Sequence, residues 1–159
     1  ARLSTLCLPQ ERRLPSGERF NYIDIGSIDN SRNLICSNEI DTANAPSRAS
    51  RCVHAGSIVF SMVRPYLRNI AQVPVSMKDS VASTGFYVAT KACNVLDEYF
   101  LFQLLLSDYA VNSINLHMKG DNSPSVRKED MDALLLPIPP LDEQRRIVKR
   151  AKEVFNLLD

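Results

Sequence analysis

The chain has 159 residues, 45% of them hydrophobic and 23% charged, with 19 basic against 18 acidic side chains. That is the composition of one globular domain, large enough to bury close to 70% of its unfolded surface without disulfide or metal staples, and it excludes a disordered chain. The longest nearly apolar run, Tyr99 to Leu106, is eight residues interrupted by Gln103, against the roughly 20 that a spanning helix needs, so no membrane helix is expected.

In chain order, PQERRLPSGER (9 to 19) reads as loop. FNYIDIGSI (20 to 28) alternates apolar and polar positions and meets Gly26, a strand ending in a turn. Leu34 to Ile40 reads as a second strand, and residues 41 to 51, rich in small residues and proline, as a long loop. IVFSMV, NIAQVPV and SVASTGFYVAT follow as short β-branched or aromatic runs bounded by Pro, Gly or Asp. Their close succession favours a twisted, partly closed β-sheet over alternating βαβ units.

The last third is helical. LDEYFLFQLLLSDYA reads as one mostly buried helix capped by Asp97, with Gln103 and Ser107 on a narrow polar stripe. After the polar HMKGDNSPS, a short helix over VRKEDMDALLL is expected, capped by Ser125 and carrying Glu129 and Asp130 in its first turn. LPIPP forces an extended segment by which the chain leaves the domain. In LDEQRRIVKRAKEVFNLLD, Leu141, Gln144, Val148, Ala151, Phe155 and Leu158 recur at spacings of three and four, a heptad seam widened by Ile147 and Val154, with Asp142 and Arg146 as an i, i+4 pair on the outer face. Two and a half heptads do not hold a coiled coil alone. The helix therefore reads either as the start of a longer paired spacer or as a terminal helix folded back on its own domain. The fold class expected is α+β, with a globular domain over 1 to 138 and the beginning of a helical spacer over 139 to 159.

Charge is uneven. Residues 1 to 75 hold nine arginines against six carboxylates, and residues 76 to 159 ten basic against twelve acidic groups. From Thr42 to Lys78 there are Arg48, Arg51, Arg64, Arg68 and Lys78 and no acid. Arginine outnumbers lysine 13 to 6, and its planar fork matches phosphate oxygens and the guanine edge with two hydrogen bonds. An anionic partner is suggested; the alternative is a solvated basic face with a few ion pairs.

Catalytic patterns are missing. The five glycines, Gly17, Gly26, Gly56, Gly85 and Gly120, lie too far apart for a dinucleotide fingerprint, a phosphate loop or a nucleophile elbow. His54 and His117 have no patterned acid or nucleophile near them in sequence. Cys7, Cys36, Cys52 and Cys93 show no metal-ligand spacing and read as reduced and chemically idle in a cytoplasmic protein, so no cofactor and no metal are expected. An enzyme assembled from scattered residues would carry no sequence-local signature. The first residue is Ala1, and the last helix stops at Asp159 without a cap, so the chain reads as processed or excised.

Three segments, GSIVFSMVRPYLRNIAQVP (56 to 74), ASTGFYV (82 to 88) and GDNSPSVRKEDMDALLLPIPPLDEQRRIVKR (120 to 150), together with RLSTLC and YIDIGSID nearer the start, resemble the specificity subunits of type I restriction-modification systems, of bacterial defence. The likeness covers nearly the whole chain and is weakest over residues 30 to 52. It implies a target recognition domain: a sequence-specific, non-catalytic reader of one half of a bipartite site on double-stranded DNA, serving methyltransferase and, through them, restriction subunits. A second recognition domain or a homodimer would pair through the spacer helix. The alternatives are the recognition domain of a fused single-chain restriction-methylation enzyme and a protein-docking module without DNA contact.

A DNA reader needs cations for phosphates and a few donors and acceptors for base edges. The candidates are Arg12, Arg13 and Arg19 in the first loop, Asn30 and Arg32 after the first strand, Arg48 and Arg51 in the long loop, and Lys119, Asn122 and Ser123 before the short helix. In VRPYLRN, Arg64 and Arg68 bracket Pro65 and Tyr66, with Asn69 able to pair with adenine; a structural or phosphate role there is favoured over base readout. For helix pairing the candidates are Leu141, Val148, Ala151, Phe155 and Leu158.

Overall fold

The computed structural model describes residues 1–36 and 38–158, the side chain of Leu158 excepted. The elements in order are α1 (Leu3–Leu6), β1 (Arg19–Ile23), β2 (Ile28–Asp29), β3 (Leu34–Ile35), β4 (Glu39–Asp41), β5 (Ala49–Cys52), β6 (Ile58–Ser61), β7 (Ile70–Gln72), β8 (Val81–Ser83), β9 (Phe86–Ala89), α2 (Glu98–Leu106), α3 (Asp108–Asn115), α4 (Lys128–Ala133) and α5 (Leu141–Leu158).

Two sheets carry the architecture, which is α+β. One has the order β4-β1-β8-β5 and the other β7-β6-β9; β2 and β3 form a small ribbon. All pairings are antiparallel except β1 with β8. Both larger sheets are open. The chain passes from one sheet to the other at Thr84-Gly85, between β8 and β9, so SVASTGFYVAT holds two strands rather than one.

Alternation explains the layers. In the three-stranded sheet, Ile58, Phe60, Ile70, Tyr87 and Ala89 face a core shared with Leu101, Leu105, Ile114 and Met131 of the helices. Their neighbours Val59, Ala71, Phe86 and Val88 face a second core with Ile23 and Ala82 of the other sheet. A strand buried on both faces reads as an unbroken apolar run, which is why IVFSMV shows no period of two. The four-stranded sheet is covered less completely on its far side, where Phe20, Tyr22, Ala49 and Val81 form a small cluster.

Several local expectations are corrected. Leu34 to Ile40 divides into β3 and β4, and the loop over 41 to 51 ends early because β5 begins at Ala49. The helix after Asp97 is two helices. Asp97 does cap the first, accepting from the Phe100 N–H at 2.9 Å, but Ser107 leaves helical angles and caps α3, its Oγ accepting from the Ala110 N–H. Ser125 caps nothing; it pairs with Lys119 and Val63, and α4 is started by the Asp130 carboxylate accepting from the Arg127 N–H at 2.9 Å. LPIPP is non-helical as expected, but it is tied to the domain at its first residue. Leu136 is buried and exchanges two backbone bonds of 2.8 Å with Ala1.

The seam of α5 is split. Gln144 is fully buried, Leu141 and Val148 are half-buried, and α5 packs on α2, with the Lys152 ammonium 4.5 Å from the centre of the Tyr99 ring. Ala151 is half-buried, Phe155 is 47% exposed, and Leu158 lies outside the described side chains. The earlier turns of α5 thus fold back on the domain, and the later turns leave apolar side chains exposed. The outer ion pairs are i, i+3, Arg145 with Asp142 and Arg146 with Glu143, rather than Asp142 with Arg146. Val148 packs against the helical core. Val148→Glu is thus expected to cost about 2 kcal/mol by burying a charge without a partner, whereas Phe155→Glu stays within about 0.5 kcal/mol; thermal melts of the two variants check this.

Candidate nucleic-acid interface

The strand register fixes where the candidate residues lie. β5 is an edge strand of its sheet, and residues 11 to 13 run antiparallel along that edge: the Cys52 N–H donates to the Glu11 carbonyl at 2.9 Å, Arg12 sits opposite Arg51, and the Arg13 N–H donates to the Ser50 carbonyl at 3.1 Å. Arg48 immediately precedes β5, and its carbonyl accepts from the Thr84 N–H at 2.9 Å. One line of backbone therefore presents Arg48, then Arg13 opposite Ser50, then Arg51 with Arg12.

The line continues into the other sheet. Gly85 accepts from the Met62 N–H at 2.9 Å, Met62 accepts from the Val126 N–H at 2.9 Å, and the Arg64 N–H donates to the Pro124 carbonyl at 2.8 Å. Arg64 stands at φ +47°, a left-handed conformation that costs a non-glycine residue of order 1 kcal/mol, and its guanidinium donates to the Asn122 carbonyl at 2.8 Å. Lys119, Asn122 and Ser123 are exposed on the same loop. Arginines distant in sequence are thus joined by five segments of main chain around one end and one edge of the sheets.

Not all of the cations are free. Arg19 forms ion pairs with Glu39 and Asp41 at 3.2 Å each, on the opposite edge of the β5 sheet. Arg13 donates to the carbonyls of Lys78 at 3.1 Å and Val53 at 3.4 Å. Arg68, also left-handed at φ +53°, donates to the Leu106 carbonyl at 2.7 Å and pairs with Asp108. The Leu106 carbonyl is one that α2 leaves unpaired at its C-terminus, so Arg68 fastens the turn over 65 to 67 to the junction of α2 and α3. The stretch free of acids in sequence is not free of them in space: Asp108, forty positions on, neutralises one of its arginines.

Around that turn, Tyr66 is 46% exposed, Asn69 is buried and Asn30 donates to the Leu67 carbonyl at 2.8 Å. Arg32 is exposed on a tight turn whose donors, the Ser31 hydroxyl above all, hold the Asp29 carboxyl below the usual carboxylate range. Asn30, Arg32 and Arg68 thus lie on the α2 side of the turn and Arg64 on the Asn122 side.

Arg51 differs from the others. Its Nε is buried without a hydrogen-bond partner, and burial pushes its guanidinium below the usual arginine range. No ion pair is assigned to Arg12, Arg48, Arg51, Lys78 or Lys119 among the described residues. Lys78, the last residue of the acid-free stretch, is exposed, and its carbonyl accepts from the Arg13 guanidinium, which brings a cation distant in sequence to the same edge. A group of Glu11, Cys52 and His54 is also brought together here, although they show no ligand spacing in sequence.

A family model, the type I restriction modification DNA specificity domain, matches residues 8–159. The chain belongs to that family. Relatives among characterised proteins include the type I restriction enzyme EcoDI specificity subunit of Escherichia coli, 29% identical over 106 residues covering 67% of this chain and 22% of the relative. The HindI specificity subunit of Haemophilus influenzae is 26% identical over 130 residues, 80% of this chain and 28% of its own. Among solved structures, the HsdS subunit from Thermoanaerobacter tengcongensis superposes with a TM-score of 0.89 at 38% identity, over 99% of this chain and 42% of that one. A second, described as the structural basis of complex assembly and conformational transition of the type I R-M system, gives 0.89 at 39%, over 98% and 41%. The specificity-domain chain thus spans about a quarter of these curated relatives and about two fifths of the solved chains. These names assign the relatives the role of specificity subunit, not that of methyltransferase or nuclease. No helix among the described residues is long and apolar enough to cross a membrane.

Proposed function

We propose that this chain is a non-catalytic, sequence-specific DNA-recognition domain that reads one half of a bipartite duplex site. The observation that carries the reading is the line of Arg48, Arg51 and Arg12 along β5, cations without a carboxylate partner, one of them partly stripped of water. A desolvated, unpaired guanidinium is unfavourable in the free protein and gains a partner when a phosphate arrives. Arg64, Lys119, Asn122 and Ser123 supply further contacts from the adjoining loop, which suits base edges because its side chains are exposed on a rigid support. The domain division at 138/139 belongs to the same proposal: the globular part reads DNA and α5 begins the spacer.

The exposed apolar residues Ile147, Val154 and Phe155 recur along one side of α5 and are its surface for a partner, either a methyltransferase subunit or the helix of a second recognition domain. Restriction subunits join through the methyltransferase. The reading places the chain in the cytoplasm, where its DNA is.

Titration of a fluorescent duplex with the whole chain tests the proposal. Three phosphate contacts predict that log K falls with log salt at a slope of about −2.7. Absence of binding at low salt, or binding without salt dependence, overturns it.

A further inference from the structure

Glu11, Cys52 and His54 converge beside a partly enclosed cavity of about 10 Å³, which they line together with Gln10, Val88 and Thr90. That is the room of a single small ligand. The His54 Nε2 lies 3.2 Å from a Glu11 carboxylate oxygen and 3.8 Å from the Cys52 Sγ, and all three potential ligand atoms lie within 4.8 Å of one another. We propose that these residues bind one divalent transition-metal ion of the zinc class, with a fourth position left for water or an outside ligand.

The distances carry the inference. Bonds of about 2.3 Å to sulfur and about 2.0–2.2 Å to nitrogen and oxygen, arranged tetrahedrally, put sulfur and nitrogen about 3.6 Å apart and nitrogen and oxygen about 3.4 Å apart. The observed 3.8 and 3.2 Å fall within a few tenths of an ångström on either side, and the sulfur and the carboxylate oxygen lie within 4.8 Å of each other, against the roughly 3.6 Å that the same geometry sets. The backbone is held independently of any ion. Glu11 and Cys52 are joined by the β-type hydrogen bond along the edge of β5, and His54 exchanges bonds of 3.0 Å with Ser57, its N–H to the Ser57 hydroxyl and its carbonyl from the Ser57 N–H.

The donor set selects the metal. A thiolate, an imidazole and a carboxylate suit zinc or cobalt, whereas magnesium and calcium favour oxygen alone. Burial pushes the Cys52 thiol up. On binding, the Cys52 Sγ–H proton passes to solvent as the Sγ–metal bond forms, and metal affinity therefore rises with pH. Arg13 near the thiol opposes the cation but favours the thiolate. The exposed Glu11–His54 contact by itself contributes little to stability. Once bound, the ion fastens the segment carrying Arg12 and Arg13 to β5.

Cobalt(II) titration of the whole chain, followed by zinc(II) competition, is the test. One equivalent of cobalt is expected to give a thiolate-to-cobalt charge-transfer band and the intense visible bands of a four-coordinate site, both removed by zinc. Cys52→Ser should abolish the charge-transfer band, and His54→Gln and Glu11→Gln should each weaken zinc binding at least about tenfold. Cys36→Ser, at an exposed cysteine, should change nothing. Glu11→Gln alters an exposed side chain and keeps the test valid should Cys52→Ser not fold. The proposal is overturned by a folded chain that gives no charge-transfer band, by a band that survives in folded Cys52→Ser, or by one lost in Cys36→Ser.

Discussion

Gln144→Ala is expected to destabilise the chain by about 3 kcal/mol and to lower its Tm by about 6–12 °C. Gln144 is fully buried between α5 and α2, its Oε1 accepting from the Asp97 N–H at 2.9 Å and its Nε2 donating to the carbonyls of Val95 and Pro139 at 2.8 Å each. Truncation strands three backbone groups at the start of α2 and the end of the LPIPP segment, each costing about 1–3 kcal/mol when buried and unpaired. Water entering the vacated space recovers part of this, which sets the figure near the low end. Gln144→Met, which preserves volume but forms none of the three bonds, should lose most of the same stability and so assigns the effect to hydrogen bonding rather than to a cavity. A melt of Gln144→Ala within 2 °C of the parent would show that α5 does not depend on this anchor.

Replacing both Arg48 and Arg51 by alanine is expected to weaken duplex binding at least about tenfold at low salt and to make the log K against log salt slope shallower by about 1.8, the contribution of two phosphates. Arg51 lies in β5 and Arg48 immediately before it, neither with a carboxylate partner among the described residues. Folding should be unharmed, because Arg51→Ala removes a desolvated, unpaired cation rather than a favourable contact. The opposite pattern is expected of Arg68→Ala, whose guanidinium serves the Leu106 carbonyl and Asp108: stability falls. Unchanged duplex affinity in the double variant removes β5 from the interface. Comparing the two separates arginines that hold the fold from those that face a ligand, a distinction their common place in one acid-free stretch conceals.

Local chemistry was legible where the residue and its partner are close in sequence. Asp97 caps α2 and the β-branched runs are strands. The last helix was legible too, since its period needs no partner to be seen. At Ser107 helical sequence continues on both sides and hides a break that one hydroxyl, capping the next helix, is enough to make. Heptad spacing puts Gln144 on the seam because it shows which residues share a face and not what that face meets, which here is the start of α2.

The sequence by itself determined the family, the α+β class and the excess of arginine, because recurring phrases, hydrophobic period and composition are properties of the chain alone. Only the tertiary structure decided which arginines remain free. Arg68 meets Asp108 and Arg19 meets Glu39 and Asp41, while Arg48, Arg51 and Arg12 align along one edge. It also brought Glu11 to Cys52 and His54 across more than forty positions. A charge or a ligand acts through the space of a few ångströms around it, and strand pairing between remote segments fills that space with neighbours that no local pattern specifies.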